Sequence, residues 1–299
     1  MLGQLHDLDL QHLRLFVSVA EAGGFSAAQG VLGLSQPTIS QQMARLETRL
    51  GYRLCSRGKA GFRLTSKGER LLLSTRELFA AIEQFRQQSN GVAGRLLGEV
   101  RLGFSEALAP AVIQRLGEAV GRFRQRDESV RIELLSTMPA DMERLLLEQR
   151  LDLAIGYFFK GQTAFDYRPL FWEEQALYCA QGHPLASAEG DIGELLRLAD
   201  CVEHPYRFPQ NPDAQVMGNS SARSEQVEGT LAFILSGKHI GYLPCHYAAP
   251  WVSNGLLRRL ADPQGVIEVP FYLAGRRGQA ASEARQAFEQ DLLVTFGAC

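Results

Sequence analysis

The fold of the N-terminal part of this chain is decided by the stretch LSQPTISQQMARLETRLG, residues 34–51. Ser35 is a good N-cap residue, and Pro37 falls in the first turn, where its missing N–H group costs nothing. Apolar residues then recur at helical spacing and predict one buried stripe, formed by Ile39, Met43, Leu46 and Leu50. Gly51 follows as the residue at which this helix ends.

Two shorter helices are predicted before this one. The first carries an apolar stripe at positions i, i+3, i+4 and i+7, formed by Leu13, Phe16, Val17 and Ala20. It ends at Gly23 and Gly24, after which Ser26 is the predicted N-cap of a second helix. The apolar residues of the second helix are Ala27, Ala28, Val31 and Leu32. Gly33 ends it, and a tight turn with glycine between two short helices is typical of a helix-turn-helix unit.

The exposed face of the third helix is polar but not acidic. Its residues are Gln36, Thr38, Ser40, Gln41, Gln42 and Arg45. Glutamine and arginine form bidentate hydrogen bonds with base edges, and serine and threonine can bond a base or a phosphate. Glu47 is the only acidic residue in residues 26–50. The alternative is an ordinary solvated face, which usually mixes glutamate with lysine.

A basic segment follows the third helix. Residues 53–64, RLCSRGKAGFRL, predict two short strands around a Gly-Lys-Ala-Gly turn. Such a wing would hold phosphates or enter the minor groove. Residues 1–90 carry eleven basic and seven acidic residues, whereas the remaining 209 residues have a net charge of −6. A basic block in an otherwise acidic chain indicates a polyanionic partner.

This ordered set of motifs resembles the DNA-binding domain of LysR-type transcriptional regulators. The resemblance lies in residues 16–28, in LSQPTISQQ at 34–42, in Leu46-Glu47 and Leu50-Gly51, and in residues 53–68. Cys55 stands where the family usually has phenylalanine, and Gln41 stands where it often has arginine. The candidate DNA-binding residues are Ser26, Ser35, Gln36, Pro37, Thr38, Ser40, Gln41, Arg45, Arg53, Arg57, Lys59 and Arg63.

One long helix is predicted over residues 65–90, with Thr65 or Ser66 as its cap. Its heptad-spaced residues are Leu71, Thr75, Leu78, Ile82 and Phe85. They predict a dimerising helix, which the resemblance also implies, and the alternative is a helix packed on its own domain. A two-fold dimer would read two half-sites of an interrupted palindrome, about one DNA turn or a multiple of it apart.

The last 200 residues alternate strand and helix. Strands are predicted at residues 100–104, 130–134 and 151–156, with a helix after each of the first two. This βαβαβ order predicts a parallel sheet covered by helices, hence an α/β fold. Further strands are expected near 167–171, 175–180, 239–243 and 268–274, and helices near 224–236 and 282–294.

The resemblance extends through this part and implies a periplasmic-binding-protein-like fold of two α/β subdomains with an effector between them. The expected organisation is a winged helix-turn-helix at 1–64, a linker helix and hinge at 65–92, and an effector-binding domain at 93–299. Its first subdomain would comprise about 95–165 with 270–299, and its second about 166–269.

The candidate effector-binding residues follow from strand ends, because ligands of open α/β sheets bind beyond the carboxyl ends of strands. They are Ser105, Glu106, Ser136, Thr137, Tyr157 and, on a facing segment, His204. Hydroxyl groups and helix N-termini there suit a carboxylate or another small anion. Glu106 would oppose an anion if it pointed into the cleft, and His204 could equally be a loop residue with no such role.

Other functional classes find little support in the sequence. It has no P-loop, no Gly-x-Ser-x-Gly and no His-Glu-x-x-His motif, so no enzyme, cofactor or metal is expected. His239 and His246 lack a recognised metal spacing and are expected to be structural. A solute-binding protein is disfavoured because residues 1–7 do not resemble a signal peptide, and no apolar run reaches about 18 residues, so no membrane partner is expected.

The five cysteines, Cys55, Cys179, Cys201, Cys245 and Cys299, are far apart and predict a reducing, cytoplasmic location. A regulator gated by cysteine oxidation is the main alternative to a small-molecule effector. The expected partners are double-stranded DNA, an unidentified effector and other copies of the chain, as a dimer and a tetramer of two dimers. RNA polymerase is a further candidate partner.

Overall fold

The computed structural model describes residues 5–58, 61–91, 96, 98–126, 129–158, 161–188, 192–203, 219–261, 265–278 and 282–298. Two compact units divide the chain, Met1–Ser89 and Asn90–Cys299. The first unit contains α1 (Asp7–Glu21), α2 (Ala28–Leu32), α3 (Gln36–Leu50), β1 (Cys55–Gly58), β2 (Gly61–Leu64) and α4 (Ser66–Gly91). Within the described part of the chain, no helix is long and apolar enough to cross a membrane.

The third predicted helix, α3, is confirmed in its cap, its buried stripe and its end. The Ser35 hydroxyl accepts a hydrogen bond from the Thr38 N–H at 3.5 Å, and Gly51 adopts a left-handed φ of 80°. All four residues of the predicted stripe are buried, namely Ile39, Met43, Leu46 and Leu50. They pack with α1 residues in the core of this unit.

The start of the second helix differs from the prediction. Ser26 is exposed and does not cap α2, whose N-cap is Ala27. The backbone itself satisfies this end, because the Ala28 N–H donates to the Gly24 carbonyl at 3.0 Å. Val31 was expected on the apolar side, but it is 75% exposed.

The wing is fastened to α3 by a carboxylate. Glu47 Oε1 accepts hydrogen bonds from the backbone N–H groups of Leu54, at 2.7 Å, and Cys55, at 3.4 Å. Cys55 is buried, and Phe62 of β2 packs edge-on against Phe25 at 5.7 Å between ring centroids. The only acidic residue near the exposed face of α3 is therefore used to position the wing.

The cap of α4 is Thr65. Its hydroxyl donates to the Arg53 carbonyl at 2.9 Å and accepts from the Gly68 N–H at 3.0 Å. The first turn of α4 thereby lies against the chain that enters the wing. A Cβ atom at Gly68 would overlap the carbonyl oxygen of Leu54, so this close approach requires glycine.

The second unit begins with the predicted βαβαβ arrangement. Its elements are β3 (Glu99–Phe104), α5 (Pro110–Arg126), β4 (Arg131–Ser136), α6 (Pro139–Leu147) and β5 (Leu153–Gly156). β3 pairs with β4 and β5 in parallel, as predicted. Next comes β6 (Phe165–Ala180), a single strand where two strands were expected with a break at 172–174.

The remaining elements of this unit follow β6 in the chain. They are α7 (Gly193–Leu198), β7 (Asp200–Glu203), β8 (Asn219–Arg223), α8 (Val227–Leu235), β9 (Gly241–Pro244), α9 (Cys245–Ser253), β10 (Leu257–Arg259), β11 (Ile267–Arg276) and α10 (Glu283–Phe296). Of these, α7, β7, β8, α9 and β10 were not predicted. A short 3-10 turn, Pro184–Ser187, follows β6.

The main sheet is mixed rather than wholly parallel. Its strand order is β10-β6-β11-β5-β3-β4, with β9 also paired to β6. The long strand β6 pairs with β11 antiparallel over its first part and with β9 and β10 near its end. Separate apolar cores pack against the two parts of this sheet. One core lies around β3, α5 and α10, and others lie around α7, α8 and α9. We call these sides the first half (β3–β5, α5, α6, α10) and the second half (β7–β10, α7–α9).

We expect Gly68→Ala to destabilise the first unit by about 2 kcal/mol, because the added methyl group overlaps a backbone carbonyl that cannot move freely. Chemical denaturation of the full chain, followed by a probe in the first unit, measures this. Gly30→Ala is the matched control in α2, where a Cβ meets nothing within 4 Å. It should be neutral or stabilise by about 0.5–1 kcal/mol. Equal effects of the two substitutions would contradict the close approach.

Candidate functional site

The exposed face of α3 presents most of the predicted base-contacting residues to solvent. Gln36, Pro37, Gln41 and Arg45 are exposed, while Thr38 and Ser40 are half-buried. Ser26 and Ser35, which lie before α2 and α3, are also exposed. The exposed members of this set are polar apart from Pro37. The Glu47 carboxylate accepts a hydrogen bond from the wing and does not add its charge to them.

Unpaired guanidinium groups flank this surface. Arg45, Arg53 and Arg63 are exposed and form no ion pair with any residue that the structure describes. Arg49, one turn from Arg45, instead pairs with the buried Asp9 of α1 and lowers its pKa through a hydrogen bond. Positive charge is therefore available at Arg45, Arg53 and Arg63, which were predicted to bind DNA.

Two predicted wing residues are described only in part. Arg57 lies in β1, where its backbone pairs with that of Phe62. Lys59 lies outside the described residues. The wing is a two-stranded antiparallel hairpin with Cys55 opposite Leu64.

The predicted dimer seam of α4 does not form one exposed line. Leu71 and Leu78 pack partly buried against the core of their own unit, and Thr75 is only 2% exposed. Ile82 is half-buried, and Phe85 is 71% exposed. The reason is that α4 lies on the helix-turn-helix over its first turns, where Arg76 also pairs with Glu21 of α1 at 3.0 Å.

A polar cavity lies at the carboxyl ends of the three parallel strands in the second unit. Its volume is about 100 Å³. Five predicted effector residues line it together, namely Ser105, Glu106, Ser136, Thr137 and Tyr157. His204 lies outside the described residues. The volume is below the roughly 300–1,000 Å³ of sites for drug-sized ligands, so the cavity suits a small molecule.

Backbone hydrogen bonds fix the two loops that carry these residues. The Ser105 N–H donates to the Ile155 carbonyl at 3.0 Å, and the Thr137 N–H donates to the Phe104 carbonyl at 2.9 Å. The Ser105 hydroxyl is buried, with 3% of the residue exposed, and it has no hydrogen-bond partner among the residues that the structure describes. Buried polar groups generally form hydrogen bonds, so a hydroxyl in this position is suited to bond a ligand in the cavity.

Glu106 connects the two halves across this cavity. Its carboxylate accepts a hydrogen bond from the Val227 N–H, in the first turn of α8, at 2.8 Å. Burial raises the pKa of Glu106, although this hydrogen bond acts in the opposite direction. Beside it, His246 Nε2 donates to the carbonyl of Ala107 at 2.8 Å. His246, expected to be structural, thus holds the second half to the loop of the first.

Sequence reasoning missed several lining residues, most of which lie on β6 or on the second half. They are Met138, Pro139, Glu173, Gln175, Glu225, Gln226, Val227, Pro244 and Phe271. Glu173 is 8% exposed, and burial raises its pKa to about 7. Gln175 Nε2 donates to its carboxylate at 3.1 Å. The sequence does not indicate Glu173, because it predicts a break between two strands at residues 172–174.

The cysteines give no support to oxidation as the signal. Burial raises the pKa of Cys179 to about 11 and that of Cys201 to about 12, so both thiols stay protonated and are poor nucleophiles. Among the cysteines that the structure describes, none forms a disulfide. His239 lies edge-on to Phe233 at 5.3 Å, and no group of potential metal ligands occurs in the described part of the chain.

Comparison with known proteins identifies both units. A family model for the bacterial regulatory helix-turn-helix protein of the lysR family matches residues 10–69, and one for the LysR substrate binding domain matches residues 93–294. The chain is 37% identical over 298 residues to the HTH-type transcriptional activator BauR of Pseudomonas aeruginosa, covering 98% of this chain and 97% of that protein. It is 28% identical over 293 residues to the SDS degradation transcriptional activation protein of a Pseudomonas species, covering 93% and 94%.

Solved structures share the fold. A full-length OxyR variant from Pseudomonas aeruginosa matches with a TM-score of 0.67 at 19% identity, covering 99% of this chain and 96% of that one. Full-length CbnR in complex with its target DNA matches with a TM-score of 0.62 at 20% identity, covering 96% and 99%. The expected winged helix-turn-helix and two-part α/β effector domain are thereby confirmed. The chain belongs to the LysR family, whose members are DNA-binding transcriptional regulators with an effector-binding domain and not enzymes.

Proposed function

We propose that this regulator binds an interrupted palindrome of double-stranded DNA as a dimer, or as a tetramer of two dimers. A small molecule bound in the cavity between the halves of the second unit controls it. The observation that carries the effector site is the buried, unpartnered hydroxyl of Ser105 in a polar cavity at the strand ends. Because its target is DNA, we place the protein in the cytoplasm, with RNA polymerase as a further partner.

The surface of α3 and the wing supplies two kinds of DNA contact. Gln36, Pro37, Thr38 and Gln41 lie at the start of α3, which fits the major groove, and they set the sequence preference. The remaining candidates set affinity by neutralising phosphates or fixing the position of the protein, namely Ser26, Ser35, Ser40, Arg45, Arg53, Arg57, Lys59 and Arg63. Exposed arginines without ion pairs are suited to this role, since no competing carboxylate must be displaced.

The later turns of α4 supply the dimer contact. Leu71, Thr75 and Leu78 serve mainly the core of their own unit, which leaves Ile82 and Phe85 for a partner helix. A phenylalanine that is 71% exposed on a 26-residue helix favours burial against another copy of the chain.

The cavity can act as a switch because few direct bonds cross it. The Glu106 to Val227 bond and the His246 to Ala107 bond link the halves near the strand ends. A typical hydrogen bond contributes about 0.5–1.5 kcal/mol net, and one to a charged group about 1.5–3 kcal/mol. A ligand that prefers one arrangement of the halves by 1–3 kcal/mol, the usual range of allosteric coupling, therefore competes with these bonds. The changed arrangement would alter the spacing of paired DNA-binding units, and hence DNA bending.

The DNA-binding proposal is tested by selecting fragments from genomic DNA and mapping protection across a salt series. We expect an interrupted palindrome whose protection weakens steeply as salt rises. Arg53→Ala should weaken binding on all sequences alike and reduce the salt slope by about 0.9, whereas Gln36→Ala should change the preferred sequence.

Arg197→Ala is the matched control, since Arg197 is an exposed arginine on α7 of the second unit. It should change neither the slope nor the preferred sequence. Failure to select any specific sequence, or an unchanged preference in Gln36→Ala, would overturn the corresponding assignment.

Phe85→Asp should shift the protein towards the monomer, because it places a charge in the proposed helix pair. Sedimentation of the full chain over a concentration series measures this. Leu73→Asp is the control on the same helix, since Leu73 is 45% exposed and lies nine residues, or two and a half turns, before Ile82, on the opposite side. If both variants associate like the parent chain, the dimer contact is elsewhere.

The buried carboxyl of Glu173 should make stability depend on pH. Because its pKa is raised from 4.5 to about 7, the unfolded chain loses this proton at a lower pH than the folded protein does. Stability should therefore fall by roughly 3 kcal/mol as pH rises through this window, and Glu173→Gln should remove that fall. The titratable groups sharing the cavity are Glu106, Glu225 and Tyr157.

Chemical denaturation of the full chain at a series of pH values, followed by a probe in the second unit, checks this prediction. Glu174→Gln is the matched control, because Glu174 is the exposed neighbour on the same strand. It should keep the pH dependence of the parent protein. A parent protein with no loss of stability between about pH 5 and 7, relative to Glu173→Gln, would contradict the buried state of this carboxyl.

A further inference from the structure

We infer that the effector of this cavity carries a cationic group, an ammonium or a guanidinium, which binds between Glu106 and Glu173. This inference deepens the proposed function and rests on its assignment of the cavity as the effector site. It runs against the sequence-based expectation of a carboxylate or another small anion.

The charges of the cavity wall point to a cation. Three lining residues carry a carboxyl group, Glu106, Glu173 and Glu225, and the described lining contains no lysine, arginine or histidine. Glu225 lies 3.6 Å from the guanidinium of Arg223, so its charge is partly balanced at the surface. Glu106 and Glu173 have no such partner among the described residues. A ligand carboxylate would meet two carboxyl groups without compensation, whereas an ammonium group would be attracted by both.

The positive helix end of α8, which would favour an anion, is already matched by a carboxylate of the protein. The Val227 N–H, at the start of α8, donates to Glu106 at 2.8 Å. Asp141, in the first turn of α6, is paired with Arg144 at 2.8 Å and does not line the cavity, so it adds no argument for or against an anion. The start of α8 therefore offers an anion less than its position beside the cavity suggests.

The uncharged groups of the wall are compatible with a cationic ligand. The unpartnered hydroxyl of Ser105 can accept a hydrogen bond from an ammonium N–H. Tyr157 and Phe271 lie edge-to-face at 5.4 Å, and aromatic rings attract cations that approach their faces. Burial raises the pKa of both Glu106 and Glu173, and a cation beside them would favour their ionised forms.

A protonated Glu173 that donates to a ligand carboxylate is the competing arrangement. The two arrangements have opposite pH dependences. A cation favours the ionised carboxylate, so its binding releases a proton and becomes tighter as pH rises through about 7. A ligand carboxylate favours the protonated form and binds more tightly as pH falls. The other titratable groups that line the cavity are Glu106, Glu225 and Tyr157, with Glu228 and Tyr247 beside Glu106.

The test is calorimetric titration of the full chain with matched four-carbon probes. These are butylamine, 1,4-diaminobutane, butyrate, succinate and 1,4-butanediol, each used up to millimolar concentration. We expect an amine to bind at least about tenfold more tightly than the matched carboxylate and the diol. Its affinity should rise between about pH 6 and 8, with release of a proton that is detected from buffers of different ionisation enthalpy.

Substitutions in the chain locate the binding. Glu173→Gln should weaken the amine about tenfold or more and remove the pH dependence, and Glu106→Gln should also weaken it. Glu174→Gln should leave both the affinity and its pH dependence unchanged, because this carboxyl is on the exposed side of β6.

The inference is overturned if no amine binds, if a carboxylate binds more tightly and increasingly so at lower pH, or if amine binding survives Glu173→Gln and Glu106→Gln unchanged. Tight carboxylate binding in the cavity would leave the proposed function intact. Amine binding that passes all these tests but never alters the DNA footprint would support the inference and count against the cavity as the regulatory site.

Discussion

The antiparallel pairing of β6 with β11 is the constraint on which the second unit depends. It joins two separately packed sides into one seven-stranded sheet, so neither half can move without bending this pair. Strand pairing satisfies the backbone hydrogen bonds of residues 165–175. In the polar cavity, by contrast, the buried hydroxyl of Ser105 has no hydrogen-bond partner among the described residues. The register shifts between Phe271 and Tyr272, and Phe271 itself lines the cavity. Such irregularities increase the local twist of a strand pair, so the pairing of β6 with β11 is least regular where the halves face each other.

Carboxylates organise both units in a similar way. In the first unit Glu47 holds the wing amides, which removes the one acidic side chain from the neighbourhood of the α3 surface. Asp9 forms an ion pair with Arg49, and this leaves Arg45 available to bind a polyanion. In the second unit Glu106 spans the cavity to the start of α8. Each group is placed where its charge decides what the adjacent surface can bind.

Much of this fold could be predicted from periodicity. The cap, stripe and end of α3 each follow from a local pattern, and so do the three parallel strands, whose apolar residues alternate with polar ones or form a short run. Ser26 could not be excluded as a cap from sequence, since the competing backbone bond from Ala28 to Gly24 depends on the turn geometry. Helix α9 was missed because Pro250 lies inside it, where proline usually interrupts a helix.

The cavity was only partly predictable for a different reason. Strand-end logic names Ser105, Thr137 and Tyr157, which do lie around one cavity. Glu173 reaches it from the middle of β6, where two acidic residues and a glutamine look like a loop in the sequence. Only pairing with β11 shows that this polar stretch is part of a strand that buries Glu173. Long-range pairing, which no local pattern encodes, therefore decides the chemistry of the site.

The measurement that tests the central claim most directly is the DNA footprint of a variant whose cavity is blocked. Ser136 lines the cavity and is exposed, so Ser136→Trp should cover it without disturbing the fold. The parent chain and this variant are compared on a selected operator across a panel of small metabolites. We predict that a compound that changes the parent footprint leaves the variant footprint unchanged, while both bind DNA equally well without it. A compound that changes both footprints equally would place the sensor outside this cavity.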